Sequence, residues 1–484
     1  MSRFSNLRRG AAPRRVRGGA ARSQELAVSP PVFESRAPIA ARYAPAPAPA
    51  SPMFAMHAYY GLAPILSILL IALYAARLTE LTPALEKFRP TLLASLMAGG
   101  LLVMRTPRPV LIGALRHPVF KLVAGYGLWA LGTGPFAMWP GLAVSSAISL
   151  FIPAIVLCLI VLSCKPSERN VDQIALGWVI AVLIHVSWLL ALGAARAGNR
   201  LTSEASLDPN DLGSLVAMST PLAIGLAMRK RGAIRAIAIV AAITFVITLM
   251  RTGSRGGTIA FVAAILVFVA GFPPRRRMIM AASVVSLAPV AWMFGPPEYR
   301  ERMKTMLTLE QDYNNTDYVG RRQIRERAQQ YFKAHPVAGV GLFCFPIAEG
   351  QRNKEIGRTG KWSAPHNAYW QALSELGLPG GLMFFGILVA AIHGAWRAWR
   401  WRRKDGTTPA VHRPEYVAAI AGFAIGAYFL SHAYFWPLFG LVAMAGLVGI
   451  AAGQPTAAGT AAEQTAGRPR RRADLNPRSA IAGA

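Results

Sequence analysis

Acidic residues are scarce in this chain. Only 22 Asp and Glu stand against 52 Lys and Arg among 484 residues, giving a formal charge of +30 at pH 7, yet charged residues make up only 15% of the total. Soluble domains carry about 25%. A soluble nucleic-acid binder would set such an excess on an otherwise polar face, whereas here 54% of residues are hydrophobic and long apolar runs are broken by short Arg clusters. That pattern excludes a nucleic-acid partner and points to a polytopic membrane protein in contact with membrane lipids. The three cysteines, Cys158, Cys164 and Cys344, are too few for a disulfide framework and lack metal-ligand spacing. Also missing are a Walker phosphate loop, zinc-ligand spacing, a dense acidic cluster for a divalent ion and a central carboxylate in any span. The expectation is a chain that uses no metal and no cofactor.

What is present is a series of apolar windows. They run Ala55 to Ala76, Thr91 to Met104, Leu122 to Met138, Gly141 to Leu162, Val171 to Leu192, Leu212 to Met228, Ala236 to Met250, Gly256 to Ala270, Met278 to Phe294, Gly380 to Ala395, Tyr416 to Leu430 and Pro437 to Ala452. The expected fold is all-α, a polytopic transmembrane helical bundle of about 12 spans. Residues 1–54, Arg-rich and then Ala-Pro-rich, read as a disordered basic cytoplasmic tail, and 453–484 as a second one. Residues 55–295 hold spans one to nine and 380–452 spans ten to twelve. With both termini inside, the inner segments carry about 33 Lys and Arg against about 7 in the short outer loops, the asymmetry of the positive-inside rule.

One outer segment is too long to be a connector. It covers residues 296–379, between spans nine and ten; the stretch Gly295 to Pro365 holds 12 basic and 8 acidic residues, and long ordered loops usually carry function. Within it Arg321 to Ala334 places Ile324, Ala328, Tyr331 and Phe332 at helical spacing, which predicts a helix lying on the membrane domain. Pro365 precedes His366-Asn367, and Asn367 fits the N-cap of a short helix, Ala368 to Leu376, stopped by Gly377 and Pro379. Span ten then restarts at Pro379 or Gly380.

The outer face offers Arg251 and Arg255 in Arg251-Thr252-Gly253-Ser254-Arg255-Gly256-Gly257, then Arg321, Arg322 and His366. An arginine beside glycines at a helix start suits an anion such as pyrophosphate, because guanidinium donors, backbone N–H groups and the helix terminus all favour negative charge. On local sequence alone, Arg255 fits interfacial snorkelling as well, Arg321 a solvated helix face, and His366 an ordinary helix-end histidine. Asp208-Pro209-Asn210-Asp211 suits a helix cap or a cavity wall. Glu375 is similarly open, and His185 and His432 stand outside the expected site.

His366-Asn367, nine intervening residues, Gly377, two more and Gly380 resemble the signature of the O-antigen ligase and O-antigen polymerase family of inner-membrane glycosyltransferases. Thr252 to Gly257 is similar to that family's membrane-boundary arginine motif. Arg321, followed fifteen residues later by Pro336 and then Gly339-Val340-Gly341, is similar to its loop motif, and Asp208-Pro209-Asn210 to a weaker element. The chain departs from the pattern at Arg325, where the family often carries an aromatic residue. The resemblance implies a donor of polyprenyl-pyrophosphate-linked glycan and a lipid A-core or glycan acceptor, joined at the periplasmic face of the bacterial inner membrane without a metal. It assigns catalysis to His366, pyrophosphate binding to Arg255, Arg321 and Arg322, and support to Asn367, Asn210, Gly377 and Gly380. O-antigen ligase on lipid A-core is the expected activity. The alternatives are a polymerase of O-antigen or exopolysaccharide repeats and, from another class, a transporter of polysaccharide or lipid carrier.

Overall fold

The computed structural model describes residues 52–75, 88–192, 200–202, 207–306, 318, 320–358, 363–400 and 411–453. Most of the expected N-terminal tail and nearly all of the C-terminal one lie outside the described residues. Within them the protein is all helical, without strands. The elements are α1 (Pro52–Ala75), α2 (Pro90–Arg105), α3 (Arg108–Arg116), α4 (Pro118–Thr133), α5 (Pro140–Leu162), α6 (Glu168–Ala191), α7 (Pro209–Arg229), α8 (Gly232–Thr252), α9 (Arg255–Ala270) and α10 (Pro274–Phe294). Then come α11 (Pro297–Lys304), α12 (Arg321–Ala334) and α13 (Phe345–Glu355), followed by α14 (Ala368–Trp399), α15 (Pro414–Ala427) and α16 (Trp436–Gly453).

A helix covers all or most of every apolar window, and α12 has the predicted bounds. The many prolines are compatible with this because they begin helices: α2, α3, α4, α5, α7, α10, α11, α13 and α15 carry Pro in their first two positions, where the missing N–H has no intrahelical partner to lose. By length and composition α5, α6, α7, α8, α14 and α16 suffice to cross a membrane. The shorter apolar helices α2, α9 and α15 fall below the roughly 20 residues that a bilayer asks for, so helix length and composition support six candidate crossings among the described residues and do not fix the total.

The bundle has a centre and a rim. In their most apolar stretches α16 is 83% buried and α7 78%, whereas α8 is only 28% buried, which makes the first two axial and the last peripheral. Small residues allow this. A Cβ on Gly449 of α16 would lie 2.2 Å from the Gly394 carbonyl of α14, so these backbones approach as closely as small-residue interfaces between membrane helices permit.

The two ends of the bundle differ in chemistry. At one end Asp172, near the start of α6, meets Arg229 at 3.3 Å, Lys230 at 2.6 Å and Arg413 at 3.3 Å, while Glu415 at the start of α15 meets Arg229 at 2.6 Å. The loop before α15 joins the same end, with Arg413 N–H donating to the Ala398 carbonyl and His412 against the Gly271 carbonyl. At the other end lie the starts of α7, α9 and α14 and the finish of α15. Helices α6 to α9, α14 and α15 therefore alternate in direction between an ion-paired end and a second end that carries the candidate residues.

Removing one partner from a buried ion pair leaves the other charge uncompensated, at about 3 kcal/mol or more. Glu415→Ala should therefore lower the unfolding temperature of the purified protein, measured in one detergent. Lys304→Ala should leave it nearly unchanged, since the Lys304–Glu301 pair at 2.8 Å is largely exposed and such pairs contribute about 0–1 kcal/mol.

Candidate active site

Four of the helices that begin at the second end each carry one of the expected residues in or just before the first turn. The first is α7, whose N-cap Asp208 accepts hydrogen bonds from the N–H groups of Asn210 and Asp211. Asn210 is half-buried, and its Oδ1 accepts from Ser254 Oγ and from Arg200 Nη2, each at 3.1 Å. That contact fixes the corner between α8 and α9. Arg200 Nε donates to the Thr252 carbonyl at 2.7 Å and Arg302 Nε to the Gly253 carbonyl at 3.0 Å, while Ser254 caps α9 through the Gly257 N–H. Arg255 is the first residue of α9, half-buried, with Nη1 donating to Thr305 Oγ1 at 3.2 Å.

The second segment is α12, opened by Arg321. Ile324 and Ala328 pack with Phe345, Tyr331 and Trp370, and a buried ion pair joins α12 to α13: Arg327 Nε lies 2.9 and 2.7 Å from the two Glu349 carboxylate oxygens. Tyr331 donates to the same carboxylate at 3.1 Å. Burial, reinforced by the Glu349 charge, holds the Tyr331 phenol well above its ordinary value. Along α12 the two expected arginines separate. Arg321 is half-buried, whereas Arg322 is exposed and pairs with Glu326 at 3.2 Å.

The third segment carries His366-Asn367. Asn367 caps α14 as predicted, accepting from the Trp370 N–H at 3.0 Å. His366 sits just before it in the left-handed region at φ 49°. The helix breaks at Gly377, with φ 68° and ψ −169°, and resumes with Pro379 inside it. A Cβ at Gly377 would fall 2.0 Å from the Val337 carbonyl. The motif Pro336 to Gly341 lies along this break: Leu378 N–H donates to Pro336, Val340 N–H to Ser374 and Gly341 N–H to Glu375 carbonyls. Buried Glu375 completes the lock by accepting from the Phe343 N–H at 3.1 Å and the Phe345 N–H at 3.2 Å. Gly380 is buried, and a Cβ there would meet Leu376 Cβ at 2.3 Å. The two family-like glycine motifs are thus two sides of one backbone contact.

These segments share the turn after α15. Ser431 Oγ accepts from the His366 N–H at 2.8 Å, and the Tyr428 carbonyl accepts from Asn367 Nδ2 at 3.0 Å. Arg325 Nη1 donates to the Tyr428 hydroxyl at 2.7 Å, with its guanidinium 5.2 Å from that ring's centre. The Gly256 position, next to Arg255, leaves 3.0 Å between a hypothetical Cβ and Phe429 Cβ. The departure at Arg325 is thereby explained: the aromatic partner comes from another helix. Sequence reasoning missed Tyr428 and Ser431. It also set His432 outside the expected site, yet His432 Nε2 lies 2.7 Å from Asp211 Oδ1, beside Asn210, with its ring stacked on Phe435 at 4.0 Å. No local pattern announces such pairs, because their partners come from α7, α12 and the segment that opens α14. Among the described residues no three His, Cys, Asp or Glu side chains gather as metal ligands.

Two measurements check this assembly. Gly377→Ala should destabilise the protein by more than about 1 kcal/mol, since it forces an L-residue into positive φ against a carbonyl, and should hasten proteolysis between α12 and α14. Cys344 is buried, and burial pushes its thiol up to about 11, so at pH 8 only about one in a thousand is the reactive thiolate. Arg327→Ala should loosen the loop and speed maleimide labelling of Cys344; unchanged labelling would show that the Arg327–Glu349 pair does not hold it.

No curated protein matches this chain. Residues 240–385 match the model of a family described as O-antigen ligase, a segment that contains Arg255, Arg321, Arg322, His366, Asn367, Gly377 and Gly380 and stops short of the Tyr428–Ser431 turn. The portion of this multi-pass membrane protein that builds the loop and most of the candidate site is therefore similar to the O-antigen ligase family.

Proposed function

We propose that the protein is a metal-independent glycosyltransferase that moves a glycan from a polyprenyl-pyrophosphate donor to an acceptor sugar at the periplasmic face of the inner membrane, with lipid A-core as the acceptor. The observation that supports this most is the gathering of α9, α12 and α14 by one turn, each with its N-terminus at the same end and each bearing a candidate side chain. Helix N-termini carry a partial positive charge and unpaired N–H donors. Arg255 and Arg321 add full charges suited to a diphosphate.

In the reaction an acceptor hydroxyl oxygen forms a bond to the anomeric carbon, and the bond from that carbon to the phosphate oxygen breaks with its electron pair passing to pyrophosphate. Negative charge grows on the leaving group, where Arg255 and Arg321 stabilise it most in the transition state. His366 takes the acceptor's proton as attack proceeds, which predicts inversion at the anomeric carbon. Asn367 and Ser431 fix the backbone that presents it. Asn210 acts through Ser254 on the position of Arg255, and Arg322, bound to Glu326, has a secondary part at most.

The test is glycan transfer in membranes containing the full chain. His366→Ala, Arg255→Ala and Arg321→Ala should each lower transfer by about 100-fold or more at normal protein level, and Arg→Lys should restore little, because lysine lacks the fork. A catalytic base loses rate as pH falls through its pKa, while an imidazolium phosphate ligand loses rate as pH rises; the wild-type profile distinguishes them around the ordinary histidine value of about 6.5. Ligase action predicts that loss of function leaves long glycans on the lipid carrier. Single repeats left there identify a polymerase, and carrier movement across liposomes without transfer identifies a transporter.

A further inference from the structure

A cavity of about 800 Å³ lies between α1 and α6 and includes the starts of α6 and of the described side chains of α1. It belongs to the ion-paired end, remote from the candidate site. Its lining changes character with depth. From Lys165, just before α6, it runs along that helix through Arg169 and Gln173 to Leu176 and Ile180, and it is faced by Ile65 and Ile68 of α1. At 1.5 Å per residue, Arg169 and Ile180 are separated by about 16 Å along the helix. No acidic side chain is among the lining residues. The neighbouring Glu168 points elsewhere and lies 3.6 Å from Arg413.

The surroundings say what kind of ligand reaches it. Ile65 is 55% exposed, Leu69 59% and Ile184 52%, so the flank of the cavity is an apolar helix surface, suited to hydrocarbon rather than water. A ligand that fits must be charged and polar at one end, apolar at the other, and able to arrive laterally. We propose that this cavity binds one anionic glycerophospholipid, its phosphate held at Lys165 and Arg169 and an acyl chain lying along Ile65, Ile68, Leu176 and Ile180. Basic pockets between membrane helices capture anionic headgroups in this way, and the volume is within the range of ordinary ligand pockets. The site is independent of the transfer reaction proposed above.

The test uses the full-length protein in nanodiscs of phosphatidylcholine doped with phosphatidylglycerol that carries a photoreactive group on an acyl chain, with cross-linked peptides identified by mass spectrometry. Cross-links should map to 61–68 and 165–180 and be displaced by unlabelled phosphatidylglycerol but not by phosphatidylcholine. Each charge removed should weaken capture about fivefold, so Lys165→Gln with Arg169→Gln should nearly abolish it. Arg231→Gln with Arg235→Gln, which removes two exposed charges at the same end, should leave it intact and thereby exclude general attraction by this basic chain. Ile65→Trp keeps both charges but fills the apolar part, and should also abolish it, which covers the case of a double variant that fails to fold. Cross-links elsewhere, equal competition by the two lipids, or unchanged capture in Ile65→Trp would overturn the proposal.

Discussion

The turn from Tyr428 to Ser431 is where the second end of the bundle is decided, because three segments distant in sequence each find a polar or packing partner on it. One backbone carbonyl, one phenol, one serine hydroxyl and one phenylalanine ring receive Asn367, Arg325, the His366 N–H and Gly256. A single hydrogen bond of this kind is worth about 1 kcal/mol net, too little to order a long loop alone. The turn is effective because it caps α15, whose opposite end is pinned by Glu415 and Arg229 and whose sides pack on α7 and α9. The placement of His366 thus inherits the rigidity of the bundle rather than that of the loop.

The loop supplies its own stiffness through contacts in which burial leaves few alternatives. Arg327 and Glu349 are almost wholly buried, and such a pair offsets its desolvation only with good geometry. Here both carboxylate oxygens lie within hydrogen-bond distance of Arg327 Nε, and Tyr331 and the Tyr318 carbonyl take further valences. The close approaches of Gly339 to the Glu375 backbone and of Gly377 to the Val337 carbonyl lock the far side of the loop onto α14. Against this frame the left-handed backbone of His366 is a local strain of about 1 kcal/mol or more, of the kind that persists where neighbouring contacts over-determine it and that clusters at functional positions.

Much of this was legible in the sequence for local reasons. The helix Arg321–Ala334 shows in its apolar spacing, the cap at Asn367 and the break at Gly377 in residue type, and the starts of most helices in their prolines. The parts that were not legible depend on distant partners. Helix α13 has few apolar residues, and its order comes from Glu349 reaching Arg327 on another helix. His432 looks unconnected with the site until Asp211 is placed beside it, and Tyr428 and Ser431 look like an ordinary helix exit. Arg325, which by comparison with the family pattern is out of place, makes sense only once Tyr428 is known to lie under it. The spacing of His366 and Gly377 is readable as a signature, but its cause, the Val337 carbonyl against Gly377, is tertiary.

The two ends of the molecule use their arginines in opposite ways. At one end Arg229 and Arg413 are bound by Asp172 and Glu415, so their charge holds helices together and little of it is left to act at a distance. At the other end Arg322 and Arg327 are paired with Glu326 and Glu349, while Arg200, Arg302 and Arg325 donate to neutral oxygens and so add their charge to that of Arg255, Arg321 and the starts of α7, α9, α12 and α14. A helix terminus counts for about half an elementary charge at most and falls off within a turn, so one alone would hold an anion weakly. Several such termini, with guanidinium groups in their first turns and a shared turn fixing their spacing, concentrate positive potential at the boundary of a low-dielectric bundle, where each charge is worth more than in water. Under the proposed function, this arrangement of charge and hydrocarbon would suit a lipid-linked diphosphate that enters from the bilayer side with its glycan outward, whichever acceptor the glycan finally meets.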